Sequence, residues 1–165
     1  MSGECSHGIS DAHVRALHTI CERLGDGTAH WALTGSLSFA LQGLPVEVND
    51  VDIQADAAGA YEIERRFAEL VTQPVAFSCG ERIRSHFGAL CIEGIRVEIM
   101  GDIEKCGEDG TWEAPPDLEQ HTRTVELEGM RVPVLCLEYE CEAYRKLGRT
   151  KTAEMLRRWL EGRGG

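Results

Sequence analysis

The sequence predicts an α/β (α+β) domain, in which a mixed β-sheet is flanked by helices. Helical periodicity alternates with short apolar segments in the first half of the chain, and two Glu-Gly pairs each separate two strand-like segments in the second half. Two further helical segments close the chain. This order is typical of a sheet covered by helices. A length of 165 residues fits one domain, with a core over about 29–135 and closing helices over about 137–160.

The first three elements follow from apolar spacing and breaker residues. Residues 11–24 carry an apolar stripe at helical spacing, and Ser10 or Asp11 is available as the N-cap. Residues 29–33 are predicted to form a short strand. Residues 37–41 are predicted to form a short buried helix, which ends before the Gly and Pro that follow it.

A second strand and a second amphipathic helix come next. The strand carries Asp50 and Asp52, and its apolar residues alternate with polar ones. The helix covers roughly 58–71, because apolar residues recur there at spacings of three and four. Strand, helix, strand and helix therefore follow one another in the first half of the chain.

Two hairpins are predicted in the second half. Strands over 89–93 and 95–100 flank the first Glu-Gly pair, and strands over 124–127 and 130–134 flank the second. The intervening stretch, 102–120, is polar and contains two Gly and two Pro residues, which is typical of a loop.

The remaining segments are a basic cluster and the closing helices. The basic cluster, residues 82–86, is interpreted as a solvated loop, with contact to a nucleotide or an acceptor as the alternative. The closing helices are predicted over Leu137–Leu147 and Thr152–Leu160, and Gly148 separates them.

Composition excludes several classes of function. The formal net charge of −11 argues against a broad nucleic-acid-binding surface, which needs a basic face, but it permits a nucleotide that is bound through a metal ion. No apolar run approaches membrane-spanning length, and no membrane partner is expected. Seven cysteines without a CxxC pair, and a start unlike a signal peptide, favour reduced thiols in the cytoplasm.

The segment Asp50-Val51-Asp52 carries the most chemical information. Side chains of a strand alternate between its two faces, so Asp50, Asp52 and Gln54 share one face and the intervening apolar residues share the other. Neighbouring carboxylates repel each other unless a cation lies between them, and Mg²⁺ prefers such oxygen ligands. A lone Asp-x-Asp is common in an acidic chain, so this segment needs support from elsewhere.

That support comes from two further places. Glu98 lies on the polar face of its strand, so three carboxylates meet if the strands of Asp52 and Glu98 are neighbours. Three such groups can hold two divalent ions. Upstream, Gly35-Ser36 offers backbone N–H groups and a hydroxyl to a phosphate if it opens a helix, although such a pair is more often only a cap.

The order of these motifs resembles that of the DNA polymerase β-type nucleotidyltransferase superfamily: Gly35-Ser36 comes first, Asp50-x-Asp52 follows, and an acid on a later strand completes the set. The similarity is greatest to its minimal single-domain members, which include lincosamide- and aminoglycoside-modifying enzymes and toxin or antitoxin relatives. The segment 137–149 is similar to the lysine-bearing helix near the end of such proteins. The layout matches over about residues 29–160, whereas the motif itself covers only a handful of positions.

The resemblance implies an activity and a set of roles. A nucleoside monophosphate would pass from an NTP, such as ATP, to a hydroxyl of a small molecule or protein, and pyrophosphate would be released. Asp50, Asp52 and Glu98 would be the catalytic and metal ligands, for Mg²⁺ or Mn²⁺, and Glu98 would help to deprotonate the acceptor. The nucleotide would be bound by residues near both ends of the motif, Gly35, Ser36, Lys146 and Arg149.

One departure from the family pattern leaves other functions open. The stretch 44–49 has no basic residue where many relatives have one, so the positive charge for the triphosphate would come from Arg82, Arg84, Lys146 or Arg149. The alternative is a non-catalytic binding or antitoxin module of the same fold. A tRNA-modifying toxin is disfavoured by the net charge. A further alternative is a homodimer formed through the region of Trp112, taken to be exposed, or through the Trp159 helix.

Overall fold

The computed structural model describes residues 9–25, 27 and 29–164. In chain order the elements are α1 (Asp11–Leu24), β1 (Trp31–Thr34), α2 (Gly35–Leu41), β2 (Val51–Ala55), α3 (Ala57–Arg66), β3 (Val71–Cys79), β4 (Ile83–Ile92), β5 (Ile95–Lys105), α4 (Leu118–His121), β6 (Thr122–Leu127), β7 (Met130–Leu135), α5 (Leu137–Lys146) and α6 (Thr150–Gly164). These seven strands form one sheet with the order β3-β4-β5-β2-β1-β7-β6, and both parallel and antiparallel pairs occur in it. The predicted mixed sheet with flanking helices is confirmed.

The main core lies between one face of the sheet and helices α1 and α3. Val51 and Ile53 of β2 and Val97 and Ile99 of β5 are fully buried in it, together with apolar residues of both helices. Because side chains of a strand alternate, this packing directs the intervening polar side chains of β2 and β5 to the opposite face. On the opposite face, the buried side chain of Glu140 from helix α5 contacts Thr34 at the end of β1.

The predicted caps and turns explain where the elements begin and end. The hydroxyl of Ser10 accepts a hydrogen bond from the backbone N–H of His13, which caps α1 as expected. Both Glu-Gly pairs form two-residue turns in which the two residues have positive φ; the values are 55° and 75° for the first pair, Glu93-Gly94. Such turns match the right-handed twist of the strands they join.

One strand was missed from the sequence. Residues 71–79 form the edge strand β3, whereas the predicted helix over 58–71 ends at Arg66 and is followed by a 3-10 turn, Ala68–Leu70. The reason is that β3 buries only Val75, so it lacks the alternation of apolar and polar residues that marks a half-buried strand. Pro74 within it also argues against a strand, except at a sheet edge.

The loops predicted over 82–86 and 102–120 are partly wrong. Ile83–Ile92 is strand β4, and β5 continues to Lys105. The polar residues that suggested loops form pairs across these strands: the guanidinium of Arg84 donates to the carboxylate of Glu104 at 2.7 Å. A charged cross-strand pair has the composition of a loop although its backbone is extended.

Two further observations concern the cysteines and the apolar length of the helices. The six cysteines within the described residues are free thiols, while Cys5 lies outside them. Within residues 9–25, 27 and 29–164, no helix is long and apolar enough to cross a membrane.

Candidate active site

Asp52 and Glu98 are neighbours across two parallel strands. Strands β2 and β5 pair with Asp52 opposite Glu98, so the neighbouring strands on which the prediction depended are present. Both side chains lie on the face of the sheet opposite the main core, because the residues on either side of each are buried in that core. The structure thus brings two of the three predicted carboxylates together.

The electrostatics of this pair are unfavourable when both groups are ionised. Burial raises the pKa of Asp52 to about 7, and the negative charges of Glu98 and Asp50 and a hydrogen bond with the Glu98 carboxyl act in the same direction. Arg96 opposes this shift, and its Nε donates to Oε2 of Glu98 at 2.8 Å. Two carboxyl groups at hydrogen-bonding distance share a proton or bind a cation.

Asp50 lies farther from the pair. It directly precedes β2, and it does not line the cavity that Asp52 and Glu98 line, although its charge contributes to the shifted pKa of Asp52. Within the described part of the chain, no three His, Cys, Asp or Glu side chains are close enough to hold a metal ion together. The Asp52–Glu98 pair is therefore the compact part of the predicted ligand set.

Gly35 packs directly against Asp52. Its φ of +75° is in the left-handed region that favours glycine, and a Cβ at this position would lie 2.5 Å from Oδ2 of Asp52. Helix α2 begins at Gly35, two residues before the predicted start at 37, so the Gly35-Ser36 pair opens a helix. The hydroxyl of Ser36 accepts a hydrogen bond from the backbone N–H of Asn49 at 3.4 Å, which links the start of α2 to the segment before β2.

Glu140 of α5 is a site residue that sequence reasoning missed. Only 2 % of it is exposed, and the hydroxyl of Thr34 donates to its Oε2 at 2.6 Å. The backbone N–H of Gly35 also donates to this carboxylate. Burial raises the pKa of Glu140 to about 7, although these two hydrogen bonds and the charge of Lys105 oppose the shift. A signal was present, because Glu140 stands three residues after Leu137 on the buried stripe of α5.

A cavity of about 240 Å³ opens beside these groups. Its polar lining comes from strands β1, β2 and β5, from the start of α2, from α5 and from the segment that follows α5. The residues that supply it are Thr34, Gly35, Asp52, Gln54, Glu98, Lys105, Glu140, Tyr144 and Arg149. The rest of the wall is apolar and includes Ile83, Met100, Ile103 and Leu147. A small cavity with few convergent polar groups is typical of a binding site for small molecules.

The four candidate cations have different positions. Arg149 lines the cavity, and its guanidinium lies 5.9 Å from the centre of the Tyr144 ring. Lys146 is exposed and forms an ion pair with Glu113 at 2.7 Å. Arg84 pairs with Glu104 and stacks on Trp112. Trp112 was expected to be exposed, but it is half-buried. Arg82 donates a hydrogen bond to the carbonyl of Cys106.

Lys105 is a further cation that the sequence did not single out. It ends strand β5 and is 7 % exposed, and its ammonium donates to the hydroxyl of Tyr139 at 3.0 Å. Burial lowers its pKa, whereas the charges of Glu140 and Glu113 act against that shift. In the sequence it lies in the stretch that was interpreted as a loop.

A mixed sheet that carries paired carboxylates beside a glycine turn and a small polar cavity defines a protein of the nucleotidyltransferase class. The family profile described as aminoglycoside-2''-adenylyltransferase matches residues 16–157. The chain belongs to this family, and the resemblance to minimal nucleotidyltransferases is confirmed.

Solved structures support the same class. A crystal structure at 1.87 Å of a candidate nucleotidyltransferase from Thermotoga maritima is 58 % identical to this chain, with a TM-score of 0.83. That match covers 94 % of this chain and 97 % of the other. The lincosamide antibiotic adenylyltransferase LnuA, solved with lincomycin bound, is 12 % identical with a TM-score of 0.54 over 91 % of this chain and 98 % of its own, which shows the fold alone. No curated protein matches the sequence.

Proposed function

We propose that this protein is a divalent-metal-dependent nucleotidyltransferase, which transfers a nucleoside monophosphate from an NTP to a hydroxyl of a small molecule or a protein. The observation that carries the proposal is the Asp52–Glu98 pair, which lies against Gly35 at the wall of the cavity. Family membership supports the reaction class and suggests ATP as the nucleotide. The acceptor hydroxyl would attack the α-phosphorus, and the bond to the departing pyrophosphate would break.

The donor set of the site suits Mg²⁺ or Mn²⁺. Asp52 and Glu98 provide carboxylate oxygens at hydrogen-bonding distance from each other, and a cation would relieve their repulsion. Mg²⁺ commonly binds one or two carboxylates and takes its other ligands from water and substrate phosphates. We assign Asp52 and Glu98 as the metal ligands, and Asp50 would have to move toward them to complete the predicted set. The metal would neutralise the negative charge that develops on the phosphates.

The remaining roles belong to side chains that bind and orient the substrates. Gly35 and Ser36 would contact the β- and γ-phosphates at the start of α2, and Arg149 at the cavity would neutralise part of their charge. Lys146 would join them only after it leaves its ion pair with Glu113. Glu98 would take part in removing the proton of the acceptor hydroxyl, either as a metal ligand or as the general base.

The nature of the acceptor is suggested only by relatives. The family is described by an aminoglycoside position, and LnuA acts on a lincosamide antibiotic. We therefore propose that antibiotics with free hydroxyls are the first acceptors to test, followed by proteins. A nucleic-acid acceptor is disfavoured by the net charge of −11. We also propose a cytoplasmic location, in keeping with the free thiols.

A non-catalytic module remains a second candidate, because one observation favours it. The backbone N–H of Gly35, which would be expected to face a phosphate, donates to the buried carboxylate of Glu140. A chain in which this interaction persists would bind a triphosphate less well. The two candidates differ in whether Mg²⁺ and an NTP together stabilise the folded protein.

The test of the proposed function is nucleotidyl transfer with labelled NTPs, Mg²⁺ and a panel of antibiotics, proteins and tRNA. We expect pyrophosphate release by the native chain and its loss in the Asp50→Asn/Asp52→Asn variant. Glu126→Gln, which changes an exposed carboxylate on β6, is the matched control and is expected to keep full activity. Equal product from the native chain and the double variant would exclude the proposed mechanism. The absence of any thermal shift with all four NTPs would favour the non-catalytic module.

We also propose that two copies of this chain form a homodimer. Of the two regions considered, the Trp112 side chain is half-buried beneath Arg84, at 4.2 Å from its guanidinium. Trp159 on α6 packs with Phe39 and Leu156 in a second apolar cluster. We keep the α6 surface as the candidate for dimerisation, and sedimentation equilibrium of the native chain would decide it.

A further inference from the structure

The cavity is lined by a buried lysine, Lys105, that forms no ion pair within the described residues. Lys105 is 93 % buried, and among the described residues its ammonium is in no ion pair. The group that accepts its hydrogen bond is the hydroxyl of Tyr139, whose pKa burial raises to about 12, so this partner is neutral. A buried ammonium is costly unless an anion or several acceptors compensate it. Two of its three N–H groups are therefore available to a ligand.

A buried hydrogen-bond acceptor without a partner lines the same cavity. Gln54 is 4 % exposed, and its Oε1 has no hydrogen-bond partner within the described residues. It stands two positions after Asp52 on β2, so both side chains lie on the same face of the sheet. Buried side-chain polar atoms nearly always have a partner, so an unpaired one that lines a cavity points to a ligand with a hydrogen-bond donor.

Each acid of the cavity either has a partner within the protein or belongs to the proposed metal site, so the groups left for a further ligand are not acids. Arg96 donates to Glu98, and Thr34 and Gly35 donate to Glu140. Asp52 shares a hydrogen bond with Glu98. By contrast, Arg149 resembles Lys105 in lining the cavity without a carboxylate partner among the described residues. Arg149 is exposed, so water can solvate it, and the buried cavity groups left without a charged or hydrogen-bonding counterpart among the described residues are the ammonium of Lys105 and Oε1 of Gln54.

We propose that Lys105 and Gln54 form a recognition subsite for a compact oxyanion that lies next to a hydroxyl. The anionic oxygens would accept hydrogen bonds from the ammonium of Lys105, and the hydroxyl would donate to Oε1 of Gln54. This inference deepens the proposed function, because the group can come from either substrate. It is the carboxylate or phosphate of the acceptor molecule, or the phosphates and ribose hydroxyls of the nucleotide.

Three sugars that differ in charge test the subsite in the full-length protein. Glucuronate has hydroxyls and a carboxylate, glucose has hydroxyls only, and glucosamine has hydroxyls and an ammonium. Their dissociation constants are measured by calorimetry at equal ionic strength, and that of the Mg²⁺ complex of the ATP analogue AMPCPP is measured in parallel. We expect glucuronate or the nucleotide to bind at least tenfold more tightly to the native chain than to Lys105→Met, since a charged hydrogen bond is lost.

The variants separate a recognition role from a general loss of structure. Lys105→Arg keeps the charge and is expected to retain most of the binding, whereas Gln54→Glu keeps the size and adds a negative charge that weakens it. Lys151→Met changes an exposed lysine of α6 outside the cavity and is the matched control. If Lys105→Met unfolds, the comparison between Lys105→Arg and Gln54→Glu tests the same subsite.

Each outcome decides the proposal. Loss of glucuronate binding in Lys105→Met assigns the subsite to the acceptor, and loss of AMPCPP binding alone assigns it to the nucleotide. Unchanged binding of both, no binding of either by the native chain, or tighter binding of glucosamine overturns it. Asp52→Asn distinguishes this inference from the proposed function, because that variant is expected to lose nucleotidyl transfer while it still binds glucuronate.

Discussion

Asp52 and Glu98 stand opposite each other on the parallel strands β2 and β5, and their carboxyl groups are close enough to share a hydrogen bond. The fold imposes this closeness, because the residues on both sides of each acid are buried in the core. When both acids are ionised, their repulsion lowers the free energy of unfolding. Sites that are arranged for a cation often have this property.

The first prediction concerns pH. The folded pKa of Asp52 is raised to about 7 from 3.8, so the native state holds a proton that the unfolded state has lost. The free energy of unfolding, without divalent ions, is therefore expected to fall between about pH 4 and pH 7, and to change little through this group above that range. Urea unfolding measured at both ends of this pH range should show that the free energy of unfolding decreases by roughly 2–4 kcal/mol more in the native chain than in Asp52→Asn.

Glu140 has a raised pKa in the same range of pH, so the comparison with Asp52→Asn isolates the contribution of Asp52. Added Mg²⁺ should raise the melting temperature of the native chain at pH 7.5 and leave that of Asp52→Asn nearly unchanged. Identical pH profiles for the two proteins would contradict the shared-proton arrangement.

The second prediction compares two glycines with the same backbone conformation. Gly35 and Gly94 both have a φ of +75°, but only at Gly35 would a Cβ meet a neighbour, at 2.5 Å from Asp52. Gly94→Ala is expected to cost about 1–2 kcal/mol through backbone strain and to leave activity unchanged. Gly35→Ala introduces the same backbone strain, and its methyl group would also push the Asp52 carboxylate out of position. We therefore expect the rate of pyrophosphate release to drop by more than tenfold. Equal activity of the two variants would show that the packing of Gly35 on Asp52 is unimportant.

The third prediction concerns the buried carboxylate of Glu140. Glu140→Ala leaves the hydroxyl of Thr34 and the N–H of Gly35 without their acceptor, and we expect a loss of roughly 2–4 kcal/mol in the free energy of unfolding. Glu140→Gln keeps an acceptor oxygen and removes the buried charge, so it should lose less, and least at pH 8. Chemical denaturation at pH 5 and pH 8 checks both statements. A larger loss for Gln than for Ala would refute this role of Glu140.

The fourth prediction compares the two cations at the end of α5. Arg149 lines the cavity, whereas Lys146 is paired with Glu113 at an exposed position. We expect Arg149→Met to weaken binding of Mg²⁺-AMPCPP by about tenfold, as for the loss of one charged contact. Lys146→Met should weaken it by only about twofold to threefold, because Lys146 must first give up its existing pair. Calorimetric titration measures both, and the reverse order would place the triphosphate on the other side of α5.

Much of the fold could be predicted because its signals are local. Helix α1 and both hairpins follow from apolar spacing and from two Glu-Gly turns. Strand β3 could not be predicted in this way, because nearly all its side chains face solvent and its partner is supplied by pairing with β4. The extension of β5 to Lys105 likewise depends on its cross-strand partners.

The sequence by itself determined which acids share a strand face, because alternation along a strand is a property of the backbone. It therefore identified Asp50, Asp52 and Glu98, and it offered Gly35-Ser36 as a turn for a phosphate. Only the tertiary structure decided that β2 and β5 are adjacent, that Glu140 reaches Gly35, and that Lys105 and Gln54 line one cavity. These relationships join residues far apart in the chain, and they arise from the packing of whole elements, which no local pattern of residues encodes.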